Sequence, residues 1–495
     1  MDNQQQSSYH QIFKATSLFG GVQVFNILIG IIRSKFIAIL LGPTGMGFSG
    51  LLTSTMGMVT GLTNFGLGTS AVKTIAEADA QQDWHKRNLV VSSFRRLVWI
   101  TGFFGLFITL FLAPWLSELT FGNRNYTYSF IFLSVTLLFT QLSTGQDVLL
   151  RGTRKLKLLA KSNVLGALAS LLITVPLYFF WGINGVVPAI VITSVITFCI
   201  SWHFARKVQF DKIKLSFHDV FKEGKSMLTM GILLSISGII SFTVSFLTRI
   251  YIGRTGGIEE VGLFNAGFAI VGTYVGLIFT AMSTDYFPRL SRVAHNTQLA
   301  NETINQQAEI AILILSPILM VFFVFIHWVV QLLYSNLFIS VNGMIQWAAL
   351  GMFFKAVSWA IAFLYLAKGA SKLFFLNELL SNFYILLFNV VFYKFFGLDG
   401  LGISFMIVYI IYLIQVFYIC KKKYSFSFDK SFIYIFLFQL FLGISCFFVV
   451  KNVPNPFHYL VGSIIIILSS TFSFRELYKR IGFINIISKT KKKND

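Results

Sequence analysis

Three cations lie where a membrane helix offers them no ready place. Arg33, Arg249 and Lys355 fall inside long apolar runs of a 495-residue chain that is 55% hydrophobic and only 12% charged. A charge deep in hydrocarbon costs roughly 2.5–3.5 kcal/mol on insertion scales, so each must face water, a partner or a ligand. A guanidinium presents paired N–H donors that match two oxygens of a phosphate, whereas an ammonium acts as a point charge. The chemistry on offer is therefore anion binding.

The neighbours of these cations place them on helix faces. Gln23, Asn26, Gly30 and Arg33 recur at intervals of 3, 4 and 3, a single face of a helix. Lys35 lies about 200° from Arg33, which reads as snorkelling to the outer headgroups; snorkelling of both residues is the plainer alternative. Ser237, Ser241, Ser245 and Arg249 repeat every four residues, and Lys355 shares a face with Gly351 and Ser358. Arg254, nearer a helix end, reads as a solvated rim. Further polar stripes are Thr53, Gly57, Thr60, Asn64 and Gly68; Thr136, Thr140, Ser143, Asp147 and Arg151; and Glu378, Asn382 and Asn389. Small residues in such stripes also let helices pack closely. The candidate binding residues are Arg33, Arg249, Lys355, Gln23, Asn26 and Asn64. Asp147 with Arg151 and Asp285 with Arg289 have the spacing of helical ion pairs. They are read either as plain salt bridges at helix ends or, together with Glu378, as gate or ion-coupling groups.

These residues need helices that cross a bilayer. Apolar runs long enough to span ~30 Å of hydrocarbon occur near 13–41, 46–70, 92–115, 127–149, 158–180, 185–204, 227–252, 261–284, 308–333, 344–367, 373–396, 400–420, 431–450 and 458–473. The chain reads as an all-α integral membrane protein of about fourteen spans, in groups of six, six and two. With the N-terminus cytoplasmic, all but eight of the 40 Lys and Arg residues fall on the cytoplasmic side. The exceptions are Arg33, Lys35, Arg124, Arg249, Arg254, Lys394 and Lys451 on the far side and Lys355 in mid-span. By the positive-inside rule both termini are cytoplasmic. The net charge of +21 is mostly this topology signal and attraction to anionic headgroups, not a nucleic-acid surface. The three cysteines, Cys199, Cys420 and Cys446, stand singly and imply neither a metal nor a disulfide framework. The seven histidines are scattered and no HExxH, P-loop or Ser/His/Asp grouping occurs, so no catalytic residue, metal or cofactor is expected.

The two groups of six echo each other at an offset of 215 residues. Gly42 and Gly47 fall on Gly257 and Gly262, and the turn Phe180-Trp181-Gly182-Ile183-Asn184-Gly185 falls on Phe395-Phe396-Gly397-Leu398-Asp399-Gly400. With a two-residue slip, Arg151-Gly152 and Lys155-Leu156 fall on Lys368-Gly369 and Lys372-Leu373. At the same offset Arg33 falls on Thr248, so Arg33 and Arg249 sit at nearly equal depth and are expected to face one another. Units with an even number of spans run in the same direction, related by an axis along the membrane normal, with a substrate site between them. The expected organisation is a first lobe over 11–207, a connector over 208–225 carrying a short interfacial helix, a second lobe over 226–423, a hairpin over 424–474 and a basic tail over 475–495.

The segments Lys14-Ala15-Thr16-Ser17, Gly20-Gly21-Val22, Ile32-Arg33-Ser34-Lys35, Leu41-Gly42-Pro43-Thr44-Gly45-Met46-Gly47 and Leu62-Thr63-Asn64-Phe65-Gly66-Leu67-Gly68-Thr69-Ser70 resemble the start of O-antigen translocases of the Wzx type. These belong to the multidrug/oligosaccharidyl-lipid/polysaccharide exporter (MOP) superfamily. The resemblance implies a MATE-like fold in the bacterial inner membrane and a monomeric flippase. Its cargo would be an undecaprenyl-diphosphate-linked oligosaccharide, moved from the cytoplasmic to the periplasmic leaflet by rocking of the lobes. A polysaccharide polymerase is a further partner of such systems. In related flippases, first-helix arginines hold the lipid diphosphate, which matches Arg33 by position. A C-terminal hairpin also occurs in lipid II flippases of the superfamily, where it helps form a groove for the lipid tail.

An inside-negative potential favours outward movement of one negative charge by about 2.3 kcal/mol per 100 mV. It would suffice to bias the export of an anionic diphosphate. Counter-transport of a proton or sodium ion, carried by Asp147, Asp285 or Glu378, is the alternative drive. Two other readings stay open: a cation-coupled drug exporter of the same superfamily, which needs carboxylates deep in the spans, and a membrane scaffold for glycan assembly.

Overall fold

Glycines in the left-handed region turn long apolar helices back on themselves. In the computed structural model, which describes residues 3–80, 84–208, 210–211, 213 and 216–481, eleven helical stretches are long and apolar enough to cross a membrane. Three of these carry two spans each, bent at Gly42 (φ 65°), Gly182 (φ 54°) and Gly397 (φ 56°), which makes fourteen. Only glycine adopts this backbone without a Cβ penalty, so each bend stands where the sequence supplies one.

The chain divides into two compact units, 1–262 and 263–495. The first holds α1 (Asn3–Thr63, bent at Gly42), α2 (Leu67–Ala80), α3 (Trp84–Phe121), α4 (Thr127–Gly152), α5 (Leu156–Trp181), α6 (Val186–Ala205), α7 (Phe217–Thr255) and the start of α8 (Ile258–Phe268). One apolar core joins Leu67 and Ile75 of α2 with Phe94, Leu149 and Met227. A second joins Phe48 and Leu52 of α1 with Leu116, Phe130 and Tyr178. Helix α7 packs along α1, α2 and α3. By sequence repeat it opens the second set of six spans, so the boundary between the compact units falls one helix later than the boundary between the repeats.

The second unit holds the end of α8, a π-helical stretch Ala269–Val275, α9 (Leu277–Val293), α10 (Thr297–Leu333), α11 (Asn342–Ala367), α12 (Ser371–Tyr424, bent at Gly397), α13 (Lys430–Asn452) and α14 (Phe457–Ile481). The wide π turn sits in what the sequence reads as one regular span. Asn296 caps α10, its side chain accepting from Leu299 N–H at 3.1 Å. The hairpin α13–α14 lies against α10. Buried Gln439 joins its two helices, donating to Ser473 Oγ at 2.8 Å and accepting from Ser469 Oγ at 2.7 Å.

Two expectations about helix bounds need correction. The helix expected within the connector is not separate: from Phe217 it continues unbroken into α7. Helix α1 stops at Thr63 and the chain turns at residues 64–66, whereas hydropathy alone predicts a span through to 70. Lys214 of the connector and Ile484, Ile487 and Lys489 of the tail lie outside the described residues.

The repeat is more regular in backbone than in residue identity. Gly182 (φ 54°, ψ −135°) and Gly397 (φ 56°, ψ −138°) share one conformation at the offset of 215. At the end of α4, Lys155 N–H bonds Leu150 O at 2.8 Å, and at the end of α11 Ala370 N–H bonds Tyr365 O at 2.8 Å, again 215 apart. The residue in the left-handed region is Arg154 (φ 53°) in the first copy and Gly369 (φ 67°) in the second. The two-residue slip is therefore corrected: it follows the glycine at 152 rather than the turn, which carries arginine in one copy.

Candidate functional site

In the first unit, Arg33 projects from α1 toward α5. Its Nη1 donates to Ser170 Oγ at 3.4 Å, a long bond, and the buried Tyr178 lies beside the same guanidinium. The residue is half-buried and forms no ion pair among the described residues. On the same stripe Gln23 is exposed, while the amide oxygen of Asn26 is buried without a hydrogen-bond partner. A buried acceptor left unpaired costs about 1–3 kcal/mol, so this stripe is poised for a donor. Asn64 is used locally: its Oδ1 accepts from Gly66 N–H at 2.9 Å and shapes the turn after α1.

Arg249 folds back along α7 and donates to Ser245, to the backbone carbonyl at 3.0 Å and to the hydroxyl. The serine stripe read from the sequence is thus the arginine's own support. Arg254, one turn further, donates at 2.7 Å to both Glu118 O and Leu119 O at the end of α3. Capping terminal carbonyls with a cation suits the helix dipole. The expected Asp147–Arg151 pair is not formed within ion-pair distance. Arg151 is exposed in the last turn of α4, where hydration outcompetes a surface ion pair.

In the second unit Lys355 is enclosed by aromatic rings. Its Nζ lies 5.8 Å from the centroid of Phe279, 5.5 Å from Phe405 and 5.1 Å from Tyr409. It makes no salt bridge among the described residues and is half-buried. Ring faces stabilise the cation without neutralising it, by about 0.5–2 kcal/mol each, so the charge remains available to an anion. A polar chain runs alongside on α12. Tyr412 donates to Glu378 Oε1 at 3.2 Å, Asn377 donates to the Tyr412 hydroxyl at 3.1 Å, and Gln415 donates to Asn377 Oδ1 at 2.6 Å. The rings of Tyr409 and Tyr412 are 6.2 Å apart, which joins this chain to the lysine cage. Asp285 and Arg289 approach at 3.9 Å, the outer limit of an ion pair, and Arg289 makes its shorter bond to Gln307, at 2.9 Å.

A family model described as polysaccharide biosynthesis protein matches residues 36–342, beginning just after Arg33 and ending before Lys355 and α12. The chain belongs to this family. A putative O-antigen transporter from Shigella flexneri is 24% identical over 393 residues, 77% of this chain and 90% of that protein. Two solved structures share the fold. One is the lipid II flippase MurJ in an inward closed conformation, with a TM-score of 0.67 at 14% identity over 94% of this chain and 99% of that one. The other is an inward-facing multidrug resistance MATE transporter of the MOP superfamily, with a TM-score of 0.68 at 17% identity over 81% and 94%. This polysaccharide biosynthesis protein therefore has the MOP fold, as its sequence resemblance implied.

Sequence reasoning missed Phe279, Phe405, Tyr409, Tyr412, Asn377 and Gln415. In a chain with 56 phenylalanines and 18 tyrosines, ring residues carry no signal of their own. The spacing of Phe405, Tyr409 and Tyr412, one side of α12 at intervals of 4 and 3, was the available clue.

Proposed function

We propose that this family member is a flippase for a lipid-linked oligosaccharide. It would carry an undecaprenyl-diphosphate-linked repeat unit from the cytoplasmic to the outer leaflet of the bacterial inner membrane, both termini lying in the cytoplasm. The observation that carries the reading is that Arg33 and Lys355, deep in their spans, form no ion pair among the described residues. A cation kept in a span without a counter-charge implies an anionic ligand that supplies one. Arg33, with its fork of donors, suits the diphosphate. Lys355 in its ring cage, beside the amides and carboxylate of α12, suits the sugars, whose C–H faces stack on aromatic rings while their hydroxyls bond amides. Gln23, Asn26 and Arg249 complete the proposed polar path. Membership of a polysaccharide biosynthesis family and similarity to a putative O-antigen transporter support this cargo over a cationic drug.

Alternating access would then move the cations between the two faces of the membrane, with the membrane potential favouring export of the anion. The test is reconstitution in liposomes with a fluorescent polyprenyl-diphosphate oligosaccharide and chemical quenching from one side. Wild type flips it, and Arg33→Ala and Lys355→Ala each lower the rate at least tenfold at equal incorporation. Flipping unchanged in both variants contradicts the proposal.

A further inference from the structure

Arg95 has no role in the reading above, and its surroundings are unlike those of the other interfacial cations. It stands in α3 at the base of a shallow, open cleft between α3 and α4, with an enclosed volume of about 10 Å³, room for roughly one water, and the cleft is also lined by Trp99, Leu142, Gly145 and Gln146. Its guanidinium lies 4.8 Å over the ring of Phe210, a residue of the segment after α6, and it makes no ion pair or hydrogen bond among the described residues. Across the cleft Gln146 is only 8% exposed, and its Oε1 is buried without a partner. A half-buried cation and an unpaired buried amide thus line one small cavity.

What leads out of the cleft is apolar and aromatic. Trp99 stacks on Phe103 at 5.5 Å, and Phe103 on Phe107 at 6.1 Å, one turn apart along α3. All three are exposed, at 46%, 41% and 49%. A run of exposed rings on a membrane helix belongs against acyl chains, with tryptophan at headgroup level. Gly145 keeps α4 close at the cleft, where a Cβ would meet Val98 at 2.8 Å. A cationic floor, an amide wall and an aromatic ladder fit one class of molecule.

We propose that the open mouth of this cleft binds the phosphate headgroup of an anionic membrane phospholipid of the inner leaflet, with the acyl chains laid along Trp99, Phe103 and Phe107. The phosphate takes paired N–H donors from Arg95 and one from Gln146, while Phe210 holds the guanidinium in place from the other side. Basic pockets between membrane helices on the cytoplasmic side bind anionic headgroups by this physics. The site is separate from the proposed cargo path and shares with that reading only the cytoplasmic orientation of this end of α3.

The experiment uses the full chain in phosphatidylcholine nanodiscs doped with phosphatidylglycerol brominated on its acyl chains, which quenches nearby tryptophan. The chain has eight tryptophans, so the Trp99 signal is the difference between wild type and Trp99→Phe. The expected result is about a fivefold preference of the Trp99 signal for brominated phosphatidylglycerol over brominated phosphatidylcholine. That preference should vanish in Arg95→Gln and survive in Arg95→Lys. Equal quenching by the two lipids in the wild type overturns the proposal without recourse to any Arg95 variant. A competition arm separates the sources of phosphate. If farnesyl diphosphate relieves the quenching at a lower mole fraction than unbrominated phosphatidylglycerol, the cleft serves the transported diphosphate and the resident-lipid proposal fails.

Discussion

Gly47 and Gly262 meet backbone to backbone in a reciprocal contact. A Cβ on Gly47 would strike the carbonyl of Ile258, and a Cβ on Gly262 would strike the carbonyl of Pro43. Both pairs are related by the same offset of 215 residues, so residue i touches j while j touches i, the signature of an isologous contact about a two-fold axis. The duplication is legible here in three dimensions: the two copies of this motif meet through positions that only glycine can occupy.

Alanine at either position should therefore be costly. Gly47→Ala and Gly262→Ala are each expected to destabilise the folded protein by ~1–3 kcal/mol through overpacking. Because both remove the same contact, the double variant should cost less than the two together. Thermal unfolding of the four proteins in one detergent, followed by intrinsic fluorescence, checks this. Full additivity would mean that the two glycines do not share one contact.

Arg154 and Gly369 hold the same left-handed turn in the two copies. A non-glycine residue there carries roughly 1–2 kcal/mol of steric cost. Arg154→Gly should accordingly raise the unfolding temperature, while Gly369→Ala should lower it by a comparable amount. The measurement is the same melt, and an unchanged or lowered midpoint for Arg154→Gly would contradict the turn assignment.

This pair also shows how far the sequence could be read. The spans, their grouping and the glycine bends follow from hydropathy and glycine positions, because burial in lipid and positive φ leave residue-level marks. The register at the end of α4 does not, because the turn conformation is shared while its residue is not. The Asp147–Arg151 pair is misread for a similar reason: spacing fixes which side chains can meet, and hydration of an exposed arginine decides that they do not. The cage around Lys355 joins residues more than a hundred positions apart along the chain, Phe279 and Tyr409 among them. Helix periodicity carries no information about which ring from another helix completes such a cage.

One arginine links the C-terminal hairpin to α10, in addition to the bond from Trp328 Nε1 to the Tyr459 hydroxyl at 2.9 Å. Arg480 donates to Glu309 Oε2 at 2.7 Å, to Ser431 Oγ at 2.7 Å and to Glu476. Glu309 is only 7% exposed, so removing its partner leaves a nearly buried carboxylate unpaired. Discounting the fully buried value for the partial exposure of Arg480, Arg480→Ala should cost about 1–3 kcal/mol, and much of that should be recovered in the double variant Arg480→Ala, Glu309→Gln. Protease resistance of the segment 425–481 reports the effect. Equal cleavage of the wild type and Arg480→Ala would show that the network does not hold the hairpin.

Arg33 and Lys355 are the span cations proposed to receive an anionic lipid-linked glycan. Native mass spectrometry of the purified protein, wild type beside Arg33→Ala and Lys355→Ala, tests this most directly. The expected result is a co-purifying polyprenyl diphosphate species, with or without attached sugars, that is lost in Arg33→Ala; in Lys355→Ala the glycan-bearing form should fall relative to the bare lipid. Retention of the same species at wild-type occupancy in both variants, or its absence from the wild type together with tight binding of cationic amphiphiles, would contradict it.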